Sequence, residues 1–96
     1  MRDLIVSTIS SRMEEMIDFA SRLIAVPTEN PPGQQYHACV EVISKELRRI
    51  GLGCEVLDVP SKGVREPLQY VRSFRGTGQH KLYFHGHYDV VPASVE

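Results

Sequence analysis

The chain has 96 residues, 42% apolar and 24% charged, which allows one small domain at most, with a thin core. Eleven basic and twelve acidic side chains leave a net charge of -1, so there is no electrostatic case for a nucleic-acid or membrane-surface partner. No apolar run approaches the ~20 residues of a membrane span. The N-terminus has too little basic and apolar character for a signal peptide, so a cytoplasmic location is expected.

The first element expected is a helix from about Leu4 to Ala25. Ile9, Met13, Met16, Ile17, Ala20, Leu23 and Ile24 recur at three- and four-residue steps and make one apolar stripe. Ser11 and Glu14 have capping-box spacing, which marks a start, or a restart after a kink, near that point. Pro27 ends the helix, because proline disfavours helical geometry in the residue before it. Asn30-Pro31-Pro32-Gly33 then forces a loop. A second helix is expected over Gln35 to Ile50, with Tyr36, Cys39, Val40, Ile43, Leu47 and Ile50 on one side. Arg48 and Arg49 suit the negative end of its dipole, and Gly51 suits the position after its end.

Strand patterns follow. Gly53 to Val59 sets Cys54, Val56 and Val59 against Glu55 and Asp58. Pro60 to Pro67 is a polar connection, and Leu68 to Arg75 reads as a second strand. Gly76-Thr77-Gly78 turns the chain into a third strand, Lys81 to His85, which would make an antiparallel hairpin. The expected class is α/β: two helices on a mixed sheet of about three strands. Cys39 and Cys54 occupy apolar positions and are expected to be reduced, buried small hydrophobes.

The segment that carries chemistry is Leu82-Tyr83-Phe84-His85-Gly86-His87-Tyr88-Asp89-Val90-Val91-Pro92. Alternate side chains of an extended chain share a side, so His87 and Asp89 can lie together where the strand leaves the sheet. A metal-ligating imidazole needs its second nitrogen fixed, commonly by a carboxylate that sets the tautomer. His87 would then be the metal ligand and Asp89 the residue orienting it, with Gly86 leaving space beside them. A lone His-x-Asp is more often a solvated surface pair than a metal site.

The longer string Gly86-His87-Tyr88-Asp89-Val90-Val91-Pro92 closely resembles the Gly-His-x-Asp-Val-Val-Pro signature of the M20 family of zinc-dependent hydrolases. Leu23 to Gly33 resembles that family's first helix end and Pro-Pro-Gly loop, and Glu46 to Leu52 with Glu55-Val56 resembles its second helix and first strand. The resemblance implies an N-terminal part of a catalytic domain, without the lid or dimerisation domain. It implies a metal role for His87 and a catalytic-site role for Asp89, which holds that histidine. It also implies two Zn2+ ions (cobalt or manganese being substitutes) and amide hydrolysis of an N-acyl amino acid or small peptide. The acyl amino acids that lead are acetylornithine and succinyl-diaminopimelate. The unpaired edge and apolar face left on a truncated sheet lead to an expected homo-oligomer. In the family the bridging aspartate, the glutamate base and the other ligands lie downstream of the matched segment, so on this reading they fall beyond Glu96 and the chain alone is inactive.

Other candidates have bland readings. His85 makes a His-x-His with His87, but its position in the resemblance is not a ligand, and a strand-end histidine is the expectation. His37, His80 and the pair Glu14-Glu15 read as exposed residues. Gly76-Thr77-Gly78 lacks the helix and lysine of a phosphate loop. A different class of function is a stand-alone, non-catalytic α/β module that self-associates or binds a partner through an open sheet.

Overall fold

The computed structural model describes residues 1–60, 62 and 66–93. It is an α/β chain of three helices followed by two strands: α1 Arg2–Ser11, α2 Met13–Ile24, α3 Tyr36–Arg49, β1 Gly53–Val59 and β2 Leu68–Phe74. Ser61 and residues 63–65 of the expected polar connection lie outside the described residues.

The helix expected from Leu4 to Ala25 is broken at Arg12, whose φ of -108° and ψ of 13° leave the helical region. Local hydroxyls bond the backbone of the turn before the break. Ser7 and Thr8 both donate to the Leu4 carbonyl, and Ser11 donates to Thr8, so side chains compete for the backbone acceptors of one turn. Ser11 therefore does not form the capping box its spacing suggested, although the chain does restart as α2 one residue later. Neither α1 nor α2 contains a buried residue.

At its other end α3 behaves as its sequence dictates. Gly51 adopts φ 86°, its N–H donates to the Arg48 carbonyl at 3.0 Å, and the Leu52 N–H donates to Leu47 at 2.9 Å. These paired bonds form a Schellman cap, which a residue with a Cβ would strain.

The two strands pair antiparallel, with Gly53 opposite Phe74, Val56 opposite Val71 and Val59 opposite Leu68. The alternation puts Cys54, Val56, Val71 and Ser73 on the side of α3, where the Cys54 thiol reaches the Ser44 hydroxyl at 3.5 Å. Val59 differs in parity from Cys54 and Val56, so it lies on the opposite face. The core sits under α3: Tyr36, Cys39 and Val40 are buried, with Thr28 and Ser44 beside them. Both cysteines are free, Cys39 fully buried and Cys54 partly so. Charged side chains hold α2 to α3, since Arg49 pairs with Glu15 and Glu46, and Arg22 reaches Glu46 at 3.7 Å.

The sheet has two strands among the described residues, not about three. Lys81 to His85 forms no ladder, and Leu82, Tyr83 and Phe84 are all more than four-fifths exposed. Residue 90 makes an isolated parallel bridge with Glu29, so hydrogen bonds to the 28–30 loop, and not a hairpin with β2, fix the end of this segment.

Candidate functional site

His87 and Asp89 come together as their spacing requires. Asp89 Oδ1 lies 3.0 Å from His87 Nδ1, and the Asp89 carbonyl lies 3.2 Å from the same nitrogen. With Nδ1 as the donor, the neutral ring carries its lone pair on Nε2, and the side chain is 83% exposed. The result is one imidazole nitrogen oriented and presented to solvent, the state a metal ligand needs.

The carboxylate is held from its other side as well. Asn30 Nδ2 lies 3.4 Å from Asp89 Oδ2. The backbone around Asp89 is pinned to the same loop: Val90 donates to the Thr28 carbonyl at 2.8 Å, and Asn30 donates to the Val90 carbonyl at 2.8 Å. Thr28, which is completely buried, donates its hydroxyl to the Tyr88 carbonyl at 3.0 Å.

Tyr88, the residue between histidine and aspartate, points the opposite way, as a period of two demands. Its ring meets Tyr36 edge to face at 5.8 Å, and its hydroxyl donates to the Gln69 carbonyl at 2.8 Å. Burial pushes the Tyr88 phenol up to about 12, with Cys39 and Tyr36 adding to the effect. Tyr36 is also raised, first by burial and then by the charges of Asp89 and Glu66, and its buried hydroxyl has no partner among the described residues. Glu66 fixes the start of α3: its carboxylate accepts from the backbone N–H of Gln35 at 2.9 Å and of Tyr36 at 3.1 Å. A carboxylate at a helix N-terminus satisfies orphan donors and suits the dipole.

The other sequence candidates lie apart from this arrangement. His85 and His80 are exposed, and His37 pairs with Glu41 on its own helix at 3.6 Å. A Cβ added to Gly86 would meet nothing within 4 Å, so the space beside His87 is open whatever residue stands there. Thr28, Asn30, Tyr36 and Glu66 were not picked out from sequence. Tyr88 could have been, since an aromatic between two polar residues of an extended segment must face the interior.

The described residues do not complete a zinc site. No group of three or more His, Cys, Asp or Glu side chains among them could hold an ion, and a zinc ion wants about four donors. They present one exposed imidazole whose Nδ1 is held by Asp89.

Fold and site thus define an α/β chain with a buttressed His–Asp couple among its described residues. The succinyl-diaminopimelate desuccinylase of Psychrobacter arcticus is 28% identical to it over 90 residues, which cover 91% of this chain and 21% of that protein. The chain therefore spans about a fifth of that relative's length. No protein-family model matches it. No solved structure matches it either. Among the described residues no helix is long and apolar enough to cross a membrane.

Proposed function

We propose that this chain is the N-terminal part of the catalytic domain of a zinc-dependent amide hydrolase of the M20 kind. Its substrate class is N-acyl amino acids or small peptides, with a succinylated diamino acid as the leading example. His87 supplies one metal ligand through Nε2, and Asp89 orients it. The observation that carries this reading is the 3.0 Å contact between His87 Nδ1 and Asp89, with the opposite ring nitrogen free to solvent. Similarity to a desuccinylase along nearly the whole chain supports the reaction class. Among the described residues no group of three or more potential ligands gathers, so on this reading the other ligands and the base come from elsewhere in the hydrolase.

The test uses the whole hydrolase that contains this sequence. His87→Ala should abolish zinc-dependent release of the amino acid from its N-acyl form, and Asp89→Asn should lower zinc affinity by roughly 10- to 100-fold. Full activity in His87→Ala would remove the assignment.

A second reading rests on a separate observation. Leu57, Tyr70 and Phe74 lie on the sheet face away from α3 and are 48%, 56% and 61% exposed. An uncovered apolar face favours self-association, whether or not the chain takes part in catalysis.

A further inference from the structure

We propose that Thr28 is a positioning residue for the His87–Asp89 couple, a role that rests on the metal-ligand reading and extends it to the loop after α2. The two peptide groups that flank Asp89 determine its φ and ψ. Thr28 holds both. Its hydroxyl donates to the Tyr88 carbonyl, in the peptide before Asp89, at 3.0 Å. Its own carbonyl accepts from the Val90 N–H, in the peptide after Asp89, at 2.8 Å.

A carboxylate can hold an imidazole in one tautomer only if its own backbone does not rotate. Asp89 sits on a segment with no ladder partner on the β2 side, so the sheet does not supply that restraint. Thr28 does, from a fully buried position in which the hydroxyl cannot turn to water for an alternative partner. Asn30 adds to the hold by donating its N–H to the Val90 carbonyl at 2.8 Å and placing Nδ2 3.4 Å from the second carboxylate oxygen. Tyr88 is tethered separately through its own side chain to Gln69, which anchors its ring but not the peptide plane beside Asp89.

The experiment reads the imidazole directly, in this chain without metal. Long-range 15N NMR distinguishes the two neutral tautomers of the His87 ring. The wild-type chain should show the proton on Nδ1. Thr28→Val keeps the branched shape and removes the hydroxyl, and it should shift the population towards Nε2–H. Thr28→Ser restores the hydroxyl and should return the wild-type pattern, while Tyr88→Phe, which cuts the other tether, should leave the tautomer unchanged. An unshifted tautomer in Thr28→Val overturns the proposal, as does an equal shift in Thr28→Ser or Tyr88→Phe. Should Thr28→Val fail to fold, wild-type exchange rates decide: a slowly exchanging Thr28 hydroxyl and Val90 amide uphold the clamp, and rapid exchange of both overturns it. Because the readout involves neither zinc nor turnover, its failure is distinct from failure of the hydrolase reading.

Discussion

Between His87 and Asp89 the chain places a tyrosine whose side chain serves the interior while its neighbours serve the surface. That division gives the site a dependence on alkali. The Tyr88 phenol is raised from 10.0 to about 12, chiefly by burial, so folding favours its neutral form. The sign follows from linkage: the contribution to stability is fully present below pH 10 and is lost as the pH climbs through about 12. In an alkaline titration followed by phenolate absorbance and far-UV circular dichroism, structure should be lost together with late ionisation of Tyr88. Tyr88→Phe should remove that late-titrating phenol. The couple itself was legible in the sequence, because a period of two puts residues 87 and 89 on one side of an extended segment. Its supports were not. Thr28 is 60 residues from Tyr88, and nothing local in either segment encodes that pairing.

The three elements that built themselves from local rules are α3, β1 and β2. Apolar spacing and Gly51 set the body and end of α3, and alternation set the strands, apart from the parity of Val59. Two expectations differ from the structure. The first helix is divided at Arg12, just after a run of hydroxyls bonded to its backbone, and Lys81 to His85 form no ladder with β2, while residues 88 and 90 bond to the 28–30 loop. The start of α3 is set by Glu66, reaching back 31 residues to Gln35, whose φ of 59° leaves its N–H open to a side-chain acceptor. Replacing Glu66 with Ala should cost about 1 kcal/mol in urea unfolding, the usual worth of a lost N-terminal cap. Glu66→Gln keeps one of the two acceptor oxygens, replaces the other with a donor and loses the charge at the helix dipole, so it should restore at most about half of that loss.

Taken as a whole, the molecule buries few apolar side chains and exposes many. The core of Tyr36, Cys39 and Val40 lies under one helix, while Leu57, Tyr70 and Phe74 on the far sheet face, and Leu82 to Phe84 beyond it, meet solvent. Burying apolar surface is worth roughly 25 cal/mol per Å², so these residues should drive copies together. Sedimentation should show a dimer or larger species that dissociates on dilution, and Leu57→Glu with Phe74→Lys should shift it to monomer. A single monomeric boundary at high concentration would count against self-association.

The contact between Thr28 and Tyr88 also imposes an order of events on the making of this chain. Joining points 60 residues apart carries a closure cost of roughly 3–4 kcal/mol if the intervening chain is loose. It falls once the β1–β2 pair has shortened the path and Tyr88 has reached Gln69. On the ribosome the helices and the hairpin can therefore emerge and settle while the imidazole is still unmade. The imidazole is oriented only after Val90 has left the exit tunnel, later than the helices and the hairpin that precede it.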